Sequence, residues 1–462
     1  MGVKLARWIV ALAISAVMMA LVLVGAAKAQ DAVGEWHGTL ASATGELRIG
    51  LEITAKPGGG YQGRLISPDQ GPSWLALDTV TLENGHLVLS GKRINGSYEG
   101  WWDEARSGWV GQWTQGATTP LTFTRGPPQP RLRPQTPQPP FPYRAEDVAF
   151  DSAPGVRLAG TLTMPQGPGP FPAAVLITGS GAQDRDEALM GHRPFMVLAD
   201  ALTRRGIAVL RTDDRGFAKS TGDFAKATSE DFAADTEAAV TFLRGRKEID
   251  SGRIGLIGHS EGGMIAPMVA VADPKIAFVV MLAGPGVPTR ELLAAQREAV
   301  GRTAGLSTDA IARNEQVMGR VEAALAEGKD WDQAKADAEK VLVEAGMPAG
   351  NADLTIKQLS SPWYKWFIAY DPRPILAKVR APVLALNGDK DVQVVSRQNL
   401  PAIREALKGN PAATIVEMPG LNHLFQTAQT GGPAEYARIE ETFAPAALDL
   451  IGEWVLKATS AH

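Results

Sequence analysis

The segment Gly258-His259-Ser260-Glu261-Gly262 restricts what this chain can fold into more than any other stretch. Just before it, Ile254–Ile257 is a short apolar run that predicts a buried strand. Just after it, Glu261–Val271 carries a helical pattern. A G-x-S-x-G string in that setting demands a sharp strand-to-helix turn. The glycines leave room for crowded backbone, and the serine is lifted above the sheet edge. The turn also sets Ser260 at a helix N-terminus, where partial positive charge suits a developing oxyanion.

From about residue 143 onward the rest of the chain supplies the matching framework. Val148-Ala149-Phe150 and Leu158–Thr163 read as an opening hairpin. Ala173–Thr178, Ile207–Arg211, Phe278–Leu282, Val383–Leu386 and Thr414–Met418 read as further buried strands. Helical patterns at Phe195–Arg205 and Phe232–Arg244 alternate with them, which predicts a mostly parallel sheet covered on both faces. Residues 286–372 break the rhythm with helical stretches only (Glu291–Arg302, Ala310–Glu327, Trp331–Glu344). An insertion of that length predicts a helical cap over a site; the plainer alternative is a passive subdomain.

The first third is organised differently. Lys4 and Arg7, an apolar stretch from Trp8 to about Ala27, and Ala27-Lys28-Ala29 together read as a signal peptide over residues 1–29, with Gln30 starting the mature chain. An uncleaved anchor is the alternative, since about 20 apolar residues span a bilayer. Residues 30–125 predict a small all-β, barrel-like domain, with short apolar runs separated by turns such as Asn84-Gly85 and Asn95-Gly96. Its tryptophans, among them Trp36, Trp101, Trp102, Trp109 and Trp113, either line a ligand wall or fill the core; the second is the commoner use of so much aromatic area. Residues 126–142 hold eight prolines and predict an extended linker.

Chemistry concentrates after the linker. Cysteine is absent, which removes thiolate catalysis, disulfides and cysteine-ligated metals. A net charge of −4 gives no field suited to nucleic acid. A nucleophilic Ser260 needs a base, and the chain has six histidines. His37 and His86 precede the linker, His462 is terminal, and His259 adjoins the nucleophile and points away from it. Of His192 and His423, only His423 suits the chain order serine, acid, histidine. The acid belongs after the strand Val383–Leu386, where Asn387-Gly388-Asp389-Lys390-Asp391 offers two aspartates. Asp391 is favoured, with Asp389 as a turn residue. For the oxyanion, the backbone N–H of Glu261 is one donor, and Thr178-Gly179-Ser180-Gly181 supplies the other at Ser180, with Gly181 second. Gly181 and His192 are also candidates to contact substrate. Asp213-Asp214-Arg215-Gly216 reads as an ion pair that shapes its loop, and Asp184 or Arg185 as a brace for the oxyanion loop.

Five motifs in order carry a family resemblance. They are Ile177–Asp186, Leu210–Gly216, Gly258–Gly263, Asn387–Asp391 and Leu421–Gln426. Residues 143–460 resemble the α/β-hydrolase superfamily, near exported bacterial esterases related to serine aminopeptidases and prolyl-oligopeptidase-like hydrolases. The resemblance implies an α/β-hydrolase domain over 143–462 and a Ser260–His423–Asp391 triad. One departure is visible: related chains place a glycine before Lys-Ser, where this chain reads Phe217-Ala218-Lys219-Ser220. The resulting expectation is a periplasmic or secreted serine esterase acting on a small-molecule ester through an acyl-enzyme, with no metal or organic cofactor. Two alternatives stand beside it: a serine peptidase, and a binding protein whose hydrolase domain is vestigial.

Overall fold

The computed structural model describes residues 32–42, 45–69, 74–128, 133–327 and 330–460. The expected signal peptide over residues 1–29, with its expected cleavage site, lies outside them. The chain divides into two compact units, Met1–Pro130 and Arg131–His462.

The first unit is a nine-stranded antiparallel meander. Its strands are β1 (Gly34–Ser42), β2 (Gly45–Ala55), β3 (Tyr61–Ile66), β4 (Leu75–Ala76), β5 (Thr79–Glu83), β6 (His86–Gly91), β7 (Gly96–Asp103), β8 (Gly108–Gln115) and β9 (Ala117–Arg125). They pair in the order β4-β3-β2-β1-β9-β8-β7-β6-β5. Between the two edge strands, Leu77 N donates to Gly63 O of β3 and Asp78 N donates to Ser90 O of β6 (2.9 and 2.8 Å). One short segment therefore serves both edges, and the sheet wraps into a barrel-like form. Trp36, Trp109, Trp113, Tyr98 and Phe123 fill its interior, with the Trp36 and Trp109 rings edge-on at 4.3 Å. Each such ring buries about 150–250 Å², on the order of 4–6 kcal/mol at 25 cal/mol per Å². The tryptophans at these positions are core. Trp101 is the exception, half exposed and stacked on His86 at 4.4 Å.

The second unit is an α/β-hydrolase sheet. Its strands are β10 (Arg144–Ala153), β11 (Val156–Met164), β12 (Phe171–Ile177), β13 (Ala208–Thr212), β14 (Ile249–His259), β15 (Val279–Leu282), β16 (Val383–Gly388) and β17 (Ala413–Met418). Their order is β10-β11-β13-β12-β14-β15-β16-β17. The opening hairpin is antiparallel and every pairing from β13 to β17 is parallel. Alternate residues of β12 serve opposite faces. Ala174 and Leu176 meet helices α1 (Pro194–Arg204) and α11 (Pro445–Ser460). Ala173 and Val175 meet α2 (Ser229–Arg244) and α3 (Gly262–Ala272).

The insertion forms helices α4 (Thr289–Thr303), α5 (Thr308–Glu327), α6 (Trp331–Glu344), α7 (Ala349–Leu359) and α8 (Pro362–Phe367), followed by the short α9 (Arg373–Leu376) and, after β16, α10 (Ser396–Ala406). Val321, Leu325, Leu342, Ile356 and Tyr364 give it a core of its own. A partly buried ion-pair cluster of Arg297 with Glu315 and Glu322 ties α4 to α5.

Within the proline-rich stretch, residues from 133 onward are docked rather than free. Arg133 Nη1 donates to Ile439 O and Nη2 to Met190 O, and Gln135 bonds the backbone of Thr442 and Phe443. Among the described residues no helix is long and apolar enough to cross a membrane.

Candidate active site

The site is built where β12, β14, β15, β16 and β17 end, the edge at which parallel sheets place ligands. At the end of β14, Ser260 adopts φ +53°. A non-glycine residue held there costs about 1–3 kcal/mol and persists only where its surroundings enforce it. The enforcement is visible: Ser260 N donates to Leu282 O at 2.8 Å, and Ser260 O accepts from Gly263 N at 2.9 Å as α3 begins. A Cβ on Gly258 would sit 1.9 Å from Gly262 O, and one on Gly262 would sit 2.1 Å from Ile177 O. The motif glycines are thus needed for backbone-on-backbone contact across the turn.

His423 and Asp391 come from the loops after β17 and β16. His423 Nδ1 lies 2.8 Å from Asp391 Oδ2. The other carboxylate oxygen, Oδ1, accepts from Gln393 N and Val394 N at 2.7 and 2.9 Å. Both residues are buried. Asp389 instead accepts from Gly420 N at 2.6 Å and pins the next loop, as a turn residue should. Ser260 and His423 line one cavity of about 340 Å³, together with Ser180 and Glu261. In the loop after β12, Gly179 N is already spent on Glu187 Oε1 at 2.8 Å. The amides of Ser180 and Glu261 meet no protein acceptor among the described residues.

The cap contributes Leu292, Leu293 and Gln296 from α4 and Trp363 and Phe367 from α8 to the wall of this cavity. Trp363 Nε1 donates to Glu261 Oε1 at 2.8 Å, and Ser229 Oγ donates to the same oxygen at 2.6 Å. Burial pushes the Glu261 carboxyl above its ordinary range, against the lowering effect of those donors.

The loops around the site are braced by charge. Arg185 makes a two-point contact with Asp213, while Arg215 reaches Asp235 and Asp231 rather than its sequence neighbour. Asp214 accepts from Thr178 Oγ1 and Gln183 N, and burial raises its carboxyl to about 8. Asp184 Oδ1 caps the Asp186 and Ala188 amides. Ala218 takes a left-handed φ of +47° and the turn closes through Ser220 N to Phe217 O.

Two residues expected to contact substrate, His192 and Gly181, are not in the wall of this cavity. His192 is fully buried away from the cavity. Its Nδ1 meets Thr442 Oγ1 and its Nε2 meets Tyr436 O, both at 2.9 Å. Burial holds its pKa down at about 4, so it is a neutral structural histidine. Gly181 is exposed and lines a separate small space with Asp213 and Asp214. Two further residues of the site, Glu187 and Trp363, were not singled out from the sequence. Glu187 lies in the charged run Asp184–Glu187, where no spacing signal separates it from its neighbours. Trp363 sits in an insertion that offers no motif at all.

Comparison with known proteins places these features in a family. The model of the X-Pro dipeptidyl-peptidase (S15) family matches residues 154–423. Esterase EstD of Thermotoga maritima is 28% identical over 319 residues, 68% of each chain. The uncharacterized protein YfhR of Escherichia coli is 34% identical over 124 residues, 27% of this chain and 41% of YfhR. Among solved structures, esterase Pf2001 of Pyrococcus furiosus aligns over 69% of this chain and 92% of its own, with a TM-score of 0.43 at 17% identity.

Proposed function

This chain belongs to the X-Pro dipeptidyl-peptidase (S15) family and is a hydrolase, and from that premise we propose that it cleaves carboxylic esters through an acyl-enzyme on Ser260. The observation that carries the proposal is the alignment of His423 by Asp391 in the cavity that also receives Ser260 from its strained turn. In this reading Ser260 Oγ attacks the acyl carbon as His423 Nε2 takes its proton. The ionised Asp391 fixes the imidazole through Nδ1 and stabilises the imidazolium. Amides at Ser180 and Glu261 hold the oxyanion. The proton passes from His423 to the departing alcohol, and water repeats the sequence to release the acid.

The wall of the cavity supports an ester over a peptide. An X-Pro dipeptide is released from a free amino terminus, which is cationic at neutral pH and needs an anionic partner in a buried site. The carboxylates in the wall are Glu187 and Glu261, and both are committed within the protein. Much of the rest of the wall is apolar, with Leu292, Leu293, Trp363 and Phe367 from the cap among its residues, and suits an uncharged acyl group. EstD, an esterase by name, accords with this. The peptidase reading rests on the family's name. Parallel assays on p-nitrophenyl esters and an X-Pro p-nitroanilide separate the two. Ester turnover with no anilide cleavage is expected; efficient anilide cleavage with inert esters would reverse the assignment.

A further inference from the structure

We propose that Glu187 and His259 form a buried carboxylate–imidazolium clamp that positions the loop of the catalytic base against the oxyanion loop, so that turnover requires His259 to be protonated on both ring nitrogens. The proposal rests on the reading of Ser260 as nucleophile and His423 as base.

Each end of the His259 ring faces an oxygen. Nδ1 lies 2.9 Å from Glu187 Oε1, and Nε2 lies 2.9 Å from the backbone carbonyl of His423. A carbonyl only accepts, and an ionised carboxylate only accepts. A neutral imidazole has one N–H to give, so it satisfies one end and leaves the other with two lone pairs facing each other. The imidazolium satisfies both. Such a mismatch is costly here because the ring is buried.

The surroundings agree. Burial by itself would disfavour the cation, but the Glu187 charge and hydrogen bond, the His423 carbonyl and the Asp391 charge outweigh it, and the His259 pKa is raised. These groups come from three loops, after β12, β16 and β17. His259 lines the candidate active-site cavity on one side, and on the other a small space whose wall includes Phe195 of α1, Leu282 of β15, Leu424 and Phe425.

What the clamp holds is the catalytic constellation. Glu187 Oε1 also accepts from Gly179 N at 2.8 Å, one residue before the Ser180 amide. A Cβ on Gly179 would lie 3.2 Å from the Ser260 Cβ, so this loop abuts the nucleophile. The His259 ring packs on the His423 ring with centroids 4.8 Å apart. One chain of contacts thus runs from the oxyanion loop through Glu187 and His259 to the backbone of the base. Glu187 itself takes φ +52°, a conformation retained only under constraint. Loss of the His259 proton frees one end of the chain, and a misplacement of about 1 Å in such a site costs on the order of 100-fold in rate.

The test uses p-nitrophenyl butyrate and the full chain. Glu187→Gln keeps the shape and removes the charge. It is expected to lower kcat about 10- to 100-fold at pH 7 with KM within about threefold, in keeping with lost positioning rather than lost binding. The alkaline fall of its kcat–pH profile is expected to begin at lower pH than in the parent, and Glu187→Asp is expected to restore part of both. A purely structural role would lower the melting temperature and leave the alkaline limb in place. Independently of any variant, nitrogen NMR of histidine-labelled parent protein at pH 7 is expected to find both ring nitrogens of His259 protonated. A single ring N–H, or a Glu187→Gln enzyme with the parent kcat and pH profile, overturns the clamp. Undiminished turnover by Ser260→Ala would instead overturn the nucleophile on which the clamp depends.

Discussion

Replacing Asp391 by asparagine tests the triad at its least visible point. In the parent, Oδ1 is taken by two backbone donors, Gln393 N and Val394 N, and Oδ2 faces His423 Nδ1. Asparagine has one oxygen and one NH2 group. The two amides fix the oxygen in the Oδ1 position, because turning the NH2 toward them would set donors against donors. The NH2 group therefore faces His423 Nδ1, which must give up its proton and accept. The proton moves to Nε2, the atom that has to accept from Ser260. The fold is barely disturbed, since size and turn bonds are kept, but the base is held in the wrong tautomer. Such a switch costs ~10⁴ in kcat, or ~5 kcal/mol at 1.36 kcal/mol per decade. Steady-state hydrolysis of p-nitrophenyl butyrate by Asp391→Asn, with circular dichroism to confirm the fold, measures it. Asp389→Asn is the control. Its contact with Gly420 N needs only an oxygen, so kcat is expected to stay within about threefold. If Asp391→Asn stays within tenfold of the parent, or Asp389→Asn is the crippled enzyme, the tautomer argument fails.

Other perturbations reach different parts of the account. Gly262→Ala sets a methyl 2.1 Å from Ile177 O; overpacking of this kind costs about 1–3 kcal/mol, so thermal unfolding should show a clear drop in melting temperature. Trp363→Ala opens the cavity wall and removes one donor from the buried Glu261 carboxyl, which keeps Ser229 Oγ; relative to acetate, bulky acyl esters should gain about tenfold in kcat/KM, and an unchanged acyl profile would remove Trp363 from the specificity wall. His192 has a folded pKa near 4 against an unfolded value near 6.5. The unfolded chain therefore binds the proton first, and stability present above pH 6.5 declines as pH falls from there toward 4. Urea midpoints across that range should fall more steeply for the parent than for His192→Asn, while kcat of the two should agree.

Several parts of this molecule could be read from the residues alone. The alternation of buried runs such as Val383–Leu386 with amphipathic stretches such as Phe232–Arg244 follows from burial on both faces of a parallel sheet, and the corresponding strands and helices are present. The serine turn was legible because its glycines have a steric reason that needs no partner elsewhere in the chain. His423 and Asp391 could be ordered but not aligned: their contact depends on two loops that meet only once β16 and β17 are side by side. The turn at Asn387-Gly388 favoured Asp391 over Asp389, and their contacts differ accordingly: Asp391 meets His423 and the Gln393 and Val394 amides, Asp389 the amide of Gly420. His192 misled because an isolated histidine in a polar loop gives no sign of its partners Tyr436 and Thr442, which lie about 250 residues away. Glu187 and Trp363 were hidden for the same reason, since each acts through a long-range contact that no local spacing encodes. The Arg215 pairing shows it at short range: adjacency to Asp213 and Asp214 suggested one partner, and helix α2 supplied another in Asp235.

The central claim is that Ser260 is an activated nucleophile, and covalent labelling tests it most directly. Incubated with a fluorophosphonate at neutral pH, the protein is expected to gain one adduct by intact mass, mapped by peptide sequencing to Ser260 and absent from Ser260→Ala, with ester hydrolysis lost in step. An unlabelled Ser260 in folded protein, or an adduct on another residue with activity intact in Ser260→Ala, would contradict the account.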